Sequence, residues 1–118
     1  MGLVNENHVE AGWIITCVGS LSQFHLRFAN QREGKLETGH FEIVSLVGTV
    51  GKDGCHLHIG LSNESGTMLG GHLLEGCIIY TTAELVIGIN EEFSFRRELD
   101  KETGFRELKI IPNENSKH

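Results

Sequence analysis

Fifteen glycines and a single proline divide this sequence of 118 residues into short segments rich in Ile, Val, Thr, Phe and Leu. Glycine supplies tight turns, and β-branched or aromatic side chains suit a pleated surface, so the pattern is typical of many strands joined by turns. The predicted strands are 12–18, 22–29, 41–50, 55–61, 77–89, 93–99 and 105–111. No segment has the apolar spacing of a long amphipathic helix. The sequence therefore predicts a mainly antiparallel β-sheet.

Two short connections predict hairpins. Residues 51–54 join strand 41–50 to strand 55–61, and residues 100–104 join the last two strands. A chain of this length is expected to form one domain with a modest core of its own. We expect residues 1–8 to be an N-terminal extension, residues 9–111 to form the domain, and residues 112–118 to be a flexible tail.

Charge and cysteine usage narrow the classes of partner. Ten Lys and Arg against sixteen Asp and Glu give a net charge of −6, and there is no basic cluster. Direct binding to nucleic acid is therefore not expected, and a protein or small-molecule partner fits better. Cys17, Cys55 and Cys77 form no C-x-x-C pair, which predicts a reducing, intracellular location without separating cytoplasm from nucleus. Cys55 and Cys77 are expected to be inert core thiols.

Apolar runs in this sequence are short, and no basic region followed by an apolar core opens the chain. Neither a membrane span nor a signal peptide is therefore predicted.

The segment with the clearest chemistry is the predicted strand 55–61. Alternation places His56 and His58 on one side, with Leu57 and Ile59 on the other. His72 follows Gly70 and Gly71, a pair that predicts either a bend or a close backbone approach that shapes the site. Three neutral imidazoles would suit a divalent metal ion, zinc above all, with an open coordination position. Histidines that hydrogen-bond one another, water or an anion are the alternative.

Three motifs together carry a family resemblance. They are residues 39–48 (Gly-His-Phe-Glu-Ile-Val-Ser-Leu-Val-Gly), 56–58 (His-Leu-His) and 70–76 (Gly-Gly-His-Leu-Leu-Glu-Gly). In this order and spacing they resemble the PPC (plants and prokaryotes conserved) domain, over about Val9 to Leu108. That domain occurs alone in bacteria and archaea and is joined to AT-hooks in plant nuclear proteins. The resemblance implies an α/β (α+β) fold with an antiparallel sheet, a trimer, and a metal-associated cluster of His56, His58 and His72.

The same resemblance implies a partner-binding segment and two departures from the family. The plant Gly-Arg-Phe-Glu-Ile-Leu motif, which contacts other proteins, corresponds here to Gly39, His40, Phe41, Glu42, Ile43 and Val44. No AT-hook core is present, so the DNA-binding arm of the plant proteins is not expected. Family members carry a strand and an amphipathic helix before the segment matching Ala11 to Val18, and only ten residues precede it here. The chain is therefore expected to be N-terminally short, with an apolar sheet face left uncovered.

Three functions remain open at this point. The first is a stand-alone PPC-domain protein that self-associates, as a trimer, with a three-histidine metal site and a protein-interaction role. The second is a metal-dependent enzyme acting on a small molecule, with Glu42, Glu64 or Glu75 as general base. The third is a transcription-related adaptor that contacts DNA only through partners. The sequence identifies no catalytic residue.

Overall fold

A computed structural model of the chain describes residues 9–113, and they form seven strands and no helix. The strands are β1 (Ala11–Arg27), β2 (Lys35–Gly51), β3 (Gly54–Ser62), β4 (Met68–Leu73), β5 (Ile78–Ile89), β6 (Phe93–Leu99) and β7 (Arg106–Pro112). The prediction of a mainly antiparallel β protein is confirmed. Within residues 9–113 there is no helix that could cross a membrane. The predicted extension 1–8, and all but the first two residues of the predicted tail, lie outside the described residues.

The strands form two sheets. Five of them follow the order β2-β3-β4-β1-β5, with β2 also paired to β1, and β6 and β7 form a separate antiparallel pair. Both predicted hairpins are present. Gly54 has a φ of 117° at the turn between β2 and β3, a conformation that glycine adopts without steric cost.

The sequence prediction broke the first strand in two, whereas β1 is continuous over 17 residues. Gly19 and Ser20, which were predicted to separate two strands, are buried residues within β1. A Cβ on Gly19 would collide with the backbone of Thr82 in β5. This glycine therefore permits close strand approach and does not form a turn.

Residues 14–48 and 56–87 form one compact unit with its own apolar core. The buried residues of this core are Leu21, Phe24, Leu26, Phe41, Ile59 and Leu61. The rings of Phe24 and Phe41 meet edge to face, with centroids 4.9 Å apart. Because these side chains come from β1, β2 and β3, the core fixes which face of each strand points away from it.

The other unit contains residues 49–55 and the described residues up to Trp13 and from Gly88 onward. Asp53 anchors it, because its carboxylate accepts hydrogen bonds from the backbone N–H of Arg97 (2.9 Å) and the Nε of Arg96 (3.1 Å). These bonds, and then the charge of Arg96, hold the pKa of Asp53 below its usual value. The backbone N–H of Lys52 donates to the carbonyl of Phe95 at 3.0 Å.

Candidate metal centre

β3 presents two histidines on its outer side. Leu57, Ile59 and Leu61 are almost completely buried, and His56 and His58 between them are exposed. The predicted alternation is therefore confirmed, because burial of one face of a strand forces its other residues outward.

The third histidine comes from the neighbouring strand. In the antiparallel pairing of β3 with β4, His58 lies opposite His72, and Ile59 lies opposite Gly71. Side chains directly opposite each other share one face of a sheet. The ring centroids of His56 are 5.0 Å from those of both His58 and His72, and the remaining pair is 5.7 Å apart. One ring nitrogen from each histidine lies within 4.8 Å of the other two.

Gly70 and Gly71 lie within β4 and do not form a bend. A Cβ on Gly70 would be 2.6 Å from the carbonyl oxygen of Ile59, and a Cβ on Gly71 would be 2.7 Å from that of Arg27. The sequence predicted either a bend or a close backbone approach at Gly70 and Gly71, and the structure has the close approach. The glycines let β4 fit between β3 and β1, which places His72 on the face that carries His58.

His72 is held in the neutral form that binds metals. Burial is the main cause that lowers its pKa below 6.5, followed by the positive charges of Arg27, His56 and His58. Its Nδ1 is buried and has no hydrogen-bond partner among the described residues. An orphaned ring nitrogen and three imidazole donors are the chemistry of a site for zinc or a similar divalent ion.

The spacing of the ring nitrogens decides whether the three histidines can bind one zinc ion together. Two imidazole nitrogens on one tetrahedral zinc ion lie about 3.3 Å apart, since each Zn–N bond is about 2.0–2.1 Å. Nitrogens within 4.8 Å of one another can reach that spacing by rotation of the side chains. His56 and His58 are exposed and so have room to rotate. The three residues therefore fit such an ion.

Arg27 lies beside the histidine cluster, a position that the sequence did not indicate. It lies opposite His72 in the pairing of β1 with β4, while the preceding pair, Leu26 and Leu73, faces the core. Alternation in the sequence puts Arg27 on the polar face of its strand. Alternation does not indicate that β1 pairs with β4, so the sequence could not predict that Arg27 lies next to His72.

The other described histidines stand apart from this cluster. His25 Nδ1 lies 2.6 Å from the carbonyl oxygen of Glu75, and the His25 carbonyl accepts a hydrogen bond from the Leu74 N–H. His40 contacts the ring of Tyr80 edge to face, with centroids 4.8 Å apart. These two histidines therefore contact groups outside the cluster. His8 and His118 lie outside the described residues.

The three cysteines are free. Cys77 packs against the core, and burial raises the pKa of its thiol. Its sulfur accepts a hydrogen bond from the His25 N–H at 3.3 Å. Cys55 is exposed, so the expectation of a core thiol is wrong there. It is the second residue of β3, and the core begins only at Leu57.

The predicted partner-binding segment lies in β2 and alternates between two environments. Phe41 is buried and Ile43 packs on the core, whereas His40, Glu42 and Val44 are exposed and Gly39 is half-buried. An open cleft of about 370 Å³ borders the segment and is lined by Gly39, His40, Phe41, Asn63, Glu64 and Ser65. A partner could reach only the outward half of the segment directly.

None of the candidate general bases joins the histidine cluster. Within residues 9–113, the group of metal-ligating atoms around His72 contains no carboxylate. Glu42 is exposed on β2, Glu64 lines the cleft, and Glu75 contributes its backbone carbonyl to His25. Among the described residues, none of these three glutamates therefore belongs to the group that could hold a metal ion.

Solved structures share this fold. A protein from Salmonella enterica (cholerae-suis) is 42% identical, with a TM-score of 0.92 over 95% of this chain and 81% of the other. A plant- and prokaryote-conserved (PPC) protein from Pyrococcus horikoshii is 24% identical, with a TM-score of 0.71 over 95% and 81%. A metal-containing protein from Archaeoglobus fulgidus is 23% identical, with a TM-score of 0.69 over 92% and 80%. The last two similarities show the fold alone.

Sequence comparison identifies the family. The chain is 45% identical over 105 residues to the bifunctional protein GlmU of Synechococcus sp. strain JA-3-3Ab, and 43% identical over 110 residues to that of strain JA-2-3B'a(2-13). These alignments cover 89% and 93% of the chain, which spans only 17% of the length of either relative. The profile of the Plants and Prokaryotes Conserved (PCC) domain matches residues 1–91. The chain belongs to the Plants and Prokaryotes Conserved domain family, the PPC domain indicated by its motifs.

Proposed function

We propose that this chain is a PPC-domain protein that binds a divalent metal ion, zinc, and acts by associating with itself and with other proteins. The observation that carries the proposal is the cluster of His56, His58 and His72, with ring nitrogens within 4.8 Å of one another. The buried, unpartnered Nδ1 of His72 supports it, since such a nitrogen is costly unless something binds it.

The donor set favours an open metal site. Three neutral nitrogen ligands would leave one position open on a zinc ion, and the ion would polarise a ligand bound there. The neutral state of His72 favours ligation because a metal must compete with protons for the same nitrogen. The metal-containing Archaeoglobus protein of the same fold supports the proposal at the level of the fold.

Self-association is supported by uncovered apolar side chains on strands β1, β2 and β5. Each of the following is at least half exposed: Ile15, Val18, Val44, Val47, Ile78 and Tyr80. Large apolar side chains left exposed on three strands favour an interaction surface. We propose that copies of this chain cover it, as the homotrimer that the family resemblance implies.

A role in protein interaction is supported by the cleft beside Gly39 and His40 and by the outward side chains of Glu42 and Val44. In the Synechococcus relatives, the matching stretch is a small part of a bifunctional protein. This favours a module that works beside other domains or proteins. We propose that the outward half of residues 39–44 contacts such a partner.

Elemental analysis tests the metal proposal. Protein purified without a nickel column and dialysed against zinc should retain nearly one equivalent per chain, and His56→Ala should lose most of it. His40→Ala is the matched control, because His40 is an exposed histidine outside the cluster. Metal content near zero in the unmodified protein, or equal loss in both variants, would contradict the proposal.

A further inference from the structure

One row of side chains crosses three strands of the sheet. Arg27 in β1 lies opposite His72 in β4, and His72 lies opposite His58 in β3. Residues opposite one another in adjacent strands share a face. A guanidinium is therefore built into the same face as the three imidazoles.

Among the described residues, the positive charge of Arg27 in this row is not paired with a carboxylate. Within residues 9–113, the half-buried Arg27 makes no hydrogen bond or ion pair with another side chain, and no carboxylate joins the histidine cluster. Both facts stand out in a protein of net charge −6. Moving an arginine charge partly out of water without a partner costs free energy, which a bound anion would offset. Neutral imidazoles do nothing to neutralise a bound dication.

We propose that Arg27 and the three-histidine centre together bind a small oxyanion, through a carboxylate or phosphate group. The inference rests on the proposed metal binding, since the ion supplies the second positive centre and the open coordination position. Arginine suits the remaining role because its planar fork of donors matches the oxygens of carboxylates and phosphates. Arg27 is then an anion-binding residue and not a metal ligand.

Cobalt(II) as a visible substitute for zinc allows the two steps to be measured separately. The full chain is first titrated with cobalt, and the loaded protein is then titrated with inorganic phosphate in one series and acetate in another. Visible absorption of cobalt reports both. The unmodified protein, Arg27→Gln and Arg27→Lys are compared, and Arg106→Gln is the control because it removes an exposed arginine from β7.

Loss of the Arg27 charge should affect the affinities for cobalt and for the anion differently. Arg27→Gln should bind cobalt as tightly as the unmodified protein or more tightly, because a repelling charge is gone, and should bind the preferred anion about tenfold more weakly or worse. The anion affinity of Arg27→Lys should lie between those of the unmodified protein and Arg27→Gln. Arg106→Gln should match the unmodified protein. Loss of both affinities together in Arg27→Gln and Arg27→Lys would show a structural role and overturn the inference.

Two further outcomes separate this inference from the proposed function. Cobalt binding with equal anion affinity in the unmodified protein and Arg27→Gln, or with no response to either anion, overturns the anion site alone. Failure of the unmodified protein to bind cobalt overturns the metal centre and this inference with it. A response confined to phosphate or to acetate identifies which oxyanion the site prefers.

Discussion

His58 and His72 are cross-strand partners in the antiparallel pair of β3 and β4. On the opposite face, Leu26 and Leu73 are partners that point into the core. Because side chains alternate along a strand, a slip of one residue in β4 would bury His72 and expose Leu73. Packing of Leu73 against the core therefore favours the register that brings the histidines together.

Zinc should stabilise the folded chain through this cluster. A ligand that binds only the folded state at 100 times its dissociation constant adds about 2.7 kcal/mol to the free energy of unfolding. We expect zinc to raise the melting temperature of the unmodified protein by several degrees and to have almost no effect on His72→Ala. Differential scanning calorimetry with and without zinc measures this. His40→Ala should respond like the unmodified protein, and a full zinc response in His72→Ala would contradict the assignment.

The lowered pKa of His72 predicts how the metal-free protein responds to pH. Its unfolded-state pKa is near 6.5 and its folded-state pKa is lower, so the unfolded chain binds more protons between these values. The contribution of His72 to stability is complete above about pH 6.5 and is lost as the pH falls through the lowered pKa. Imidazole NMR should show His72 titrating below 6.5. Arg27→Gln should raise that pKa only in part, because burial is the larger cause.

Gly71 should not tolerate a side chain. A Cβ there would lie 2.7 Å from the carbonyl oxygen of Arg27, and neither backbone can move without breaking the pairing of β4 with β1. We expect Gly71→Ala to lower the free energy of unfolding by about 1–3 kcal/mol, the usual cost of overpacking. Urea denaturation measures it. Gly104→Asn is the control, since a Cβ has open space there and Asn tolerates a φ of +78°. Equal stability of both variants would contradict the clash.

Asp53 should add stability that acid removes. Its pKa is lowered from 3.8, first by the hydrogen bond from the Arg97 N–H and then by Arg96. A carboxylate of this kind stabilises the fold above its unfolded pKa, and the effect is lost as the pH falls through the lower folded value. Asp53→Asn should therefore flatten the loss of stability below about pH 4. Glu84→Gln, a change at an exposed carboxylate on β5, should not, and similar acid profiles for Asp53→Asn and the unmodified protein would contradict the role of these bonds.

Charge on the exposed apolar surface should weaken self-association. Ile15 is 61% exposed and Val18 is 59% exposed on β1, so a Glu at either position is tolerated in the monomer. Buried against another copy, the same carboxylate would lack a partner. Light scattering should report a trimer for the unmodified protein and smaller species for Ile15→Glu and Val18→Glu. Leu99→Glu, on β6, serves as the control. A monodisperse monomer for the unmodified protein would contradict the proposal.

Local patterns in the sequence predicted much of the fold. Alternation around Leu57 and Ile59 was enough to turn His56 and His58 outward, and the turn residues near Gly54 were enough to predict the β2–β3 hairpin. Glycines inside strands were harder to interpret. Gly19 was predicted to lie in a break between two strands. The sequence cannot distinguish a glycine required by a turn from one required by close packing of strands, which is its role here.

The sequence by itself determined that this is a β protein of the PPC family and that two histidines share one face of a strand, because these depend on period and on motif. Only the tertiary structure decided that β4 lies between β3 and β1. That arrangement places His72 beside His58 and brings Arg27 to the same row. The physical reason is that pairing of strands distant in sequence depends on burial of the whole core, which no local pattern specifies.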